Sequence, residues 1–355
     1  MKSYIICCRN SGELMRECVE KSYGHIRYEL PFIGALCVDV PEKNTAAVLK
    51  LRGITAATED MKVTKFEAQE SNKSCRGTFD AGALGRGVSI AVLDTGTHPH
   101  YDLIKPCSRL LVFKDFVNNR TVPYDDDGHG THVSGIAAGN GFSGAPKGIA
   151  PEASIVSLKV LDSDGSGNVS DILAAMQWIC DNHSKYNIRV VNLSLGMTYD
   201  DSVRIDPLHL GVGALYKSNI TVVAAGGNSG PAAKTISSPG NSPYVLTAGC
   251  CGKAGVSEFS SRGPAGTYMK PDLVAYGEDI CSLAPGKTAT ATQSGTSMSA
   301  PAVSGAAACL YSAYPQLTAY QVKRILTSAT VPFDNEDRNS QGYGRLDTEM
   351  LKSLI

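Results

Sequence analysis

The chain is short of the features that usually announce a partner. Positive charge is not in excess: 33 Lys and Arg stand against 34 Asp and Glu, a formal net charge of −1, and the basic residues are scattered. No nucleic-acid or membrane-surface footprint is therefore expected. Long apolar runs are missing too, and none approaches the length of a membrane span. The 11 cysteines include no Cys-x-x-Cys and are irregularly spaced, with vicinal pairs at Cys7-Cys8 and Cys250-Cys251. That pattern speaks against a zinc cluster or a redox dithiol. Read as free thiols with apolar neighbours, they suit a reducing compartment. The opening stretch Met1–Asn10 has too short an apolar core and no small-residue cleavage site for a signal peptide. The expectation is a cytoplasmic protein; the alternative is an extracellular one whose export signal has been removed. No internal repeat or low-complexity tract is visible.

What is present is an ordinary globular composition: 355 residues, 43% hydrophobic and 19% charged, enough for one large domain and a small second one. Residues 1–66 read as the small unit. Ser3–Cys8 alternates as a strand and Gly12–Lys21 has helical spacing; Ile26–Leu30 and Ile33–Val40 read as strands connected at Pro31 and Gly34. A helix follows Pro41-Glu42-Lys43-Asn44 as far as Leu51, Gly53 stops it, and Ile54–Val63 is the last strand. This βαββαβ order predicts a ferredoxin-like α+β unit. Residues 67–86 are polar and Gly-containing, a linker leading into the next domain.

Over residues 87–355 short β-branched runs alternate with helical patterns. Val88–Leu93 precedes a helix from His129, Ser154–Leu161 precedes a helix from Ser170 to Cys180, and Ile188–Leu193, Ile220–Ala225 and Tyr244–Ala248 follow. This rhythm predicts an α/β fold, a mostly parallel sheet with helices on both faces. Active sites in such sheets lie beyond the carboxyl ends of the strands. Asp94 and Asn228 stand at such ends. Gly139-Asn140-Gly141-Phe142-Ser143-Gly144 fits a dinucleotide fingerprint in letters, yet it follows a helix and precedes a loop, the reverse of what that motif requires. In His129-Gly130-Thr131-His132 the histidines are three apart with no Glu between them, so one catalytic or solvent-facing His and one helix-packed His is favoured over a metal site.

Three motifs converge in this domain. Asp94-Thr95-Gly96 ends an apolar strand, and Asp125-Asp126-Asp127-Gly128-His129 opens a Gly- and Ala-rich helix. Gly295-Thr296-Ser297-Met298-Ser299-Ala300-Pro301 stands at the mouth of a long apolar helix running to Ala313. A serine hydroxyl is a poor nucleophile until an imidazole takes its proton. The imidazole in turn needs a buried carboxylate to fix its tautomer. The tetrahedral intermediate needs donors set in advance; Asn228, on the turn Ala224-Ala225-Gly226-Gly227-Asn228, offers an amide, and the Ser297 backbone N–H offers another.

These blocks, in the order Asp, His, Ser, resemble those of the subtilisin-like serine peptidases, the subtilases, from about Gly87 to Leu346. The resemblance implies a subtilisin-like fold and an endopeptidase in which Asp94 orients, His129 is general base then acid, Ser297 attacks and Asn228 holds the oxyanion. It further implies that Ser194, Leu195 and Gly196 form one edge that pairs with an extended peptide, and Gly165, Ser166 and Gly167 the opposite edge. Val169, Ile172 and Leu195 would line an apolar pocket for the fourth residue before the cut; Ala225, Gly227 and Ser237 would wall the first. No acid matches in the first pocket, so large neutral residues are the expected preference.

Residues 1–66 resemble the subtilase propeptide, an intramolecular chaperone and inhibitor. Its end, Glu59–Phe66, would lie in the cleft with Val63 in the fourth pocket and Phe66 in the first, predicting self-cleavage between Phe66 and Glu67. The resemblance fails at the calcium loop after the His helix: Gly139–Lys147 has Phe142 and glycines where side-chain oxygens are wanted. Asp102 is left as a remnant calcium ligand, and a hard cation needs six or more oxygens. No cofactor is expected to be required, and the expected partners are a peptide or protein substrate and the chain's own propeptide. Two rival readings fit less well: a non-catalytic binding or regulatory protein on a peptidase scaffold would usually lose a triad member, and an α/β-hydrolase esterase expects Gly-x-Ser-x-Gly with the His last.

Overall fold

The computed structural model describes residues 1–8, 13–21, 24–66, 69–70, 84–198 and 205–355. The N-terminal unit consists of β1 (Lys2–Cys8), α1 (Glu13–Lys21), β2 (His25–Leu30), β3 (Ala35–Val40), α2 (Thr45–Leu49) and β4 (Ile54–Glu59). Its antiparallel sheet runs β2-β3-β1-β4, the ferredoxin-like order. Gly12, the expected start of α1, lies outside the described residues. Side chains alternate across β1 with the period of two that a strand imposes. Tyr4 and Ile6 close a small core with Val19, Leu36, Val38 and Val48, whereas Ile5 joins Leu30, Ala35 and Cys37 in the core of the larger domain.

Ile54–Val63, read above as one strand, is two. The Asp60 amide still donates to Ser3 O at 2.9 Å, but the Asp60 carboxylate accepts from Ser170 N at 2.9 Å and Ser170 Oγ at 2.6 Å. That turns the chain out of its own sheet into β5 (Lys62–Lys65), which belongs to another. The short β6 (Gln69–Glu70) follows.

The larger domain is built on a nine-stranded sheet. Its elements in chain order are β7 (Ser89–Asp94), α3 (Tyr101–Ile104), β8 (Leu110–Asp115), α4 (His129–Ala138), β9 (Ser154–Lys159), β10 (Ser166–Asn168) and α5 (Val169–Tyr186). Then come β11 (Ile188–Leu193), β12 (Leu195–Gly196), α6 (Pro207–Lys217), β13 (Thr221–Ala225), β14 (Leu246–Cys251) and β15 (Leu273–Tyr276). The last are β16 (Ile280–Leu283), β17 (Thr290–Ser294), α7 (Thr296–Ala313), α8 (Ala319–Ser328), β18 (Thr330–Val331), α9 (Arg338–Gln341), β19 (Arg345–Leu346) and α10 (Thr348–Leu354). The strand order is β18-β19-β15-β14-β13-β11-β7-β9-β8, parallel except where β18 meets β19.

Every residue of β7, β13 and β14 is buried, so these strands read as continuous apolar runs rather than alternating ones. The helices α4 and α7 pack in the core on one face, while α5 and α6 fill the other. The structure moves some boundaries: the strand placed at Tyr244–Ala248 lies at Leu246–Cys251, with Tyr244 exposed. The helix expected to begin at Ser170 continues to Tyr186, where Asn187 at φ +46° ends it in the left-handed region. Both vicinal cysteine pairs are free thiols, but Cys281 is disulfide-bonded, which overturns the reading of all the cysteines as free.

Candidate active site

Asp94 ends β7 with no exposure to solvent, and His129 occupies the first turn of α4. The two are joined: His129 Nδ1 lies 2.8 Å from Asp94 Oδ1, which also accepts from Thr95 N at 2.7 Å. The approach depends on Gly130, where a Cβ would stand 2.1 Å from Gly96 O. A web around Asp125 holds the two elements together. Its Oδ1 accepts from Thr95 Oγ1 at 2.9 Å and Gly128 N at 2.8 Å, and its Oδ2 from Thr131 N at 2.8 Å and Thr131 Oγ1 at 2.6 Å. Thr95 Oγ1 accepts from Gly130 N at 2.9 Å. Burial pushes the His132 imidazole down to about 3, with the nearby His129 adding to the shift. Its Nε2 lies 3.1 Å from Ile280 O, a packed helix residue rather than a metal ligand.

Ser297 lies in the first turn of α7, fully buried; the helix begins at Thr296 rather than at Ala300. Pro301 has no N–H to offer the Ser297 carbonyl one turn back. Ser194 Oγ supplies that donor at 3.0 Å. Ser297 Oγ in return donates to Ser194 O at 3.1 Å, and His129 Nε2 has no hydrogen-bond partner among the described residues. The hydroxyl and the imidazole are therefore not bonded to each other here. Asn192 Nδ2 donates to Ser194 Oγ at 2.9 Å, and Ser304 Oγ donates to Asn192 Oδ1 at 2.9 Å, tying this edge to α7. Asn228 Oδ1 accepts from Thr296 N at 3.0 Å and Thr296 Oγ1 at 2.9 Å. The Nδ2 end of the amide is thereby set beside Gly295, 3.0 Å from where a Cβ would stand.

The cleft is occupied by β5. It runs antiparallel between β10 and β12, with Thr64 opposite both Ser166 and Gly196, Val63 opposite Gly167 and Lys65 opposite Leu195. Val63 is fully buried in the cluster that holds Val169, Ile172 and Leu195. Phe66 is partly buried against the cluster holding Ala225, and its Cζ comes within 2.7 Å of a Cβ built on Gly196. Gly227 and Ser237 adjoin each other, a Cβ on Gly227 standing 2.6 Å from Ser237 Oγ. Glu67 lies outside the described residues.

Asp102 is fully buried, but its carboxylate is engaged: Oδ2 accepts from Gly141 N at 3.0 Å and Oδ1 from Ser143 N at 2.7 Å. Among the described residues no group of three His, Cys, Asp or Glu is arranged to hold a metal, and no helix is long and apolar enough to cross a membrane. The sequence places Asn192 only at the start of the peptide-pairing edge, and it gives no part in the site to Ser304, Thr296 or Asp127; the signal for Asn192 is a polar residue inside the otherwise apolar end of Ile188–Leu193.

A parallel α/β sheet with a paired carboxylate and imidazole, a serine at a helix mouth and a strand-binding cleft defines the class of subtilisin-like serine endopeptidases. The subtilase family profile matches residues 85–344, and the chain belongs to that family. It is 39% identical to the serine protease AprX of Bacillus subtilis over 297 residues, 75% of this chain and 66% of AprX. It is 30% identical to subtilisin E of the same organism over 349 residues, 94% of this chain and 86% of that protein. Fervidolysin from Fervidobacterium pennivorans, a keratinolytic enzyme related to subtilisin, superposes with a TM-score of 0.82 at 20% identity, over 99% of this chain and 61% of that one. The chain thus spans about two thirds of AprX and less of fervidolysin.

Proposed function

We propose that this protein is a self-inhibited peptidase zymogen that works through Asp94, His129 and Ser297. The observation that carries the reading is the placement of Lys62–Lys65 as the middle strand between Ser166–Asn168 and Leu195–Gly196, with Lys65 opposite Leu195, the neighbour of the Ser194 that bonds Ser297. In this reading the Ser297 hydroxyl rotates off Ser194 O and hands its proton to His129 Nε2 as Oγ attacks the Phe66 carbonyl carbon. Asp94 Oδ1 holds the imidazole tautomer and the imidazolium that forms. Asn228 Nδ2 and the Ser297 N–H hold the oxyanion. Collapse returns the proton to the Glu67 amide nitrogen, breaks the Phe66–Glu67 bond and leaves an acyl-enzyme that water hydrolyses by the same steps.

The N-terminal unit stays bound as inhibitor. Beyond β5 it is held by Asp60, which satisfies first-turn donors of α5, and by Tyr28 OH, which donates to Asp171 Oδ1 at 2.9 Å. External substrates bind as β5 does, with a large neutral residue before the cut and an apolar one three residues earlier. Intact mass tests this: wild type is expected to split after Phe66, and Ser297→Ala to remain at 37.4 kDa. Splitting in Ser297→Ala, or a wild type that hydrolyses substrate while still whole, overturns it.

We further propose that calcium is dispensable at Asp102. Support comes from the two amide donors on its carboxylate and from Arg109, which donates to the carbonyls of Asp102, Ala138 and Ala153. Millimolar calcium is expected to leave the melting temperature in place. A tight site would add about 4 kcal/mol at 1,000 times its dissociation constant, an unmistakable shift.

A further inference from the structure

Three consecutive acids precede His129, and each has a different occupation. Asp125 is consumed by the backbone and threonines around it. Asp126 pairs at 2.6 Å with Lys159, whose fully buried ammonium also donates to Thr95 O and Leu161 O. Asp127 faces the cleft. Its Oδ1 accepts from His129 N at 3.0 Å, and its Oδ2 takes Lys65 Nζ at 2.5 Å. Lys65 is part of β5, so in the proposed zymogen it departs with the N-terminal unit while the carboxylate stays.

We infer that the subsite for the residue next to last before the cut selects a basic side chain, with Asp127 as its specificity-determining residue and Gly165 as the bed for the methylene stem. The pair is withdrawn from water, the Lys65 side chain being 25% exposed and that of Asp127 9%. A charge-assisted hydrogen bond in such surroundings is stronger than one between neutral groups. The stem is accommodated because residue 165 has no side chain: a Cβ there would stand 2.6 Å from both Cδ and Cε of Lys65, in a backbone at φ +71°. An acidic side chain in the same place would face the Asp127 carboxylate directly. The substrate class is therefore peptides carrying Lys or Arg immediately before a large neutral residue. This rests on the reading that β5 marks the substrate path.

The test uses enzyme expressed as the full chain and assayed after its N-terminal unit has been split off and removed, with three peptides, Val-Thr-Xaa-Phe with Xaa as Lys, Gln or Glu ahead of a reporter. Lys is expected to exceed Gln by about tenfold in kcat/KM, with Glu lowest. In Asp127→Asn, which keeps an oxygen for His129 N, the Lys-to-Gln ratio falls toward one. Raising ionic strength from about 0.05 to about 0.5 M shrinks the wild-type ratio. Gly165→Ala lowers the rate on Lys more than on the shorter Gln at the same position. Equal cleavage of all three after Phe overturns the inference and leaves the proposed function standing, as does an undiminished Lys preference in Asp127→Asn. Absence of cleavage of any of them, with Ser297 unlabelled by a serine-directed phosphonate, overturns both.

Discussion

The two halves of the candidate site are built in different ways. The carboxylate–imidazole half is already joined, at 2.8 Å, and is locked by the many donors gathered on Asp125. The serine–amide half is just as firmly held, but to its own neighbours: Ser297 to Ser194, Asn228 to Thr296. Each half is held by its own hydrogen bonds, and in the proposed mechanism they join when the Ser297 hydroxyl leaves Ser194 O. Substitution of Asp125, which braces the first half, should therefore cost stability, and substitution of Asn228 in the second should cost turnover.

The largest expected effect is on the serine side. Asn228→Ala should lower kcat by about 10²–10³-fold, the scale of losing one oxyanion donor. A comparable loss of melting temperature without the rate effect would erase the contrast. Asp125→Ala leaves several buried donors without an acceptor and should cost about 3 kcal/mol, read by denaturant unfolding. One turn further along α4, His132 stays neutral in the fold down to about 3, whereas its ordinary value is 6.5. Between those limits the unfolded chain binds the extra proton, so stability falls as pH drops through 6.5, by up to about 3 kcal/mol at about pH 4.5. His132→Gln should flatten that part of the stability–pH curve, and an unchanged slope would remove His132 from the account. The smallest change is Ser304→Ala. Loss of the donor to Asn192 should cost about 1 kcal/mol and loosen the Ser194 edge, read as a raised KM.

The fold class was legible in the sequence because buried parallel strands leave unbroken β-branched runs, as in Ser89–Leu93. The proposed reacting groups stand out in the sequence because their chemistry tolerates few residue types, and the structure brings two of them, Asp94 and His129, within 2.8 Å. What could not be read was allegiance. Ile54–Val63 carries one continuous strand pattern, yet Asp60 takes its hydrogen bonds from Ser170, 110 positions later, and hands the chain to a different sheet. The same holds for Ser304, and for the bonds by which Asn192 and Ser194 tie the expected edge to α7: they appear only when the helix and the edge strand meet. The start of α7 at Thr296 was missed because threonine and serine count as caps or turns before they count as helix, and tertiary packing decides the matter.

Inserting β5 between β10 and β12 has a consequence for whatever replaces it. Once that central strand is withdrawn, two pleated rims come to face each other across a vacancy, both with main-chain groups stripped of their partners. Such rims adhere to any unfolded stretch that drifts past. If the N-terminal unit leaves as proposed, a freshly liberated molecule would meet its own incompletely folded siblings with both rims bare, and a strand kept seated between β10 and β12 would spare them that encounter.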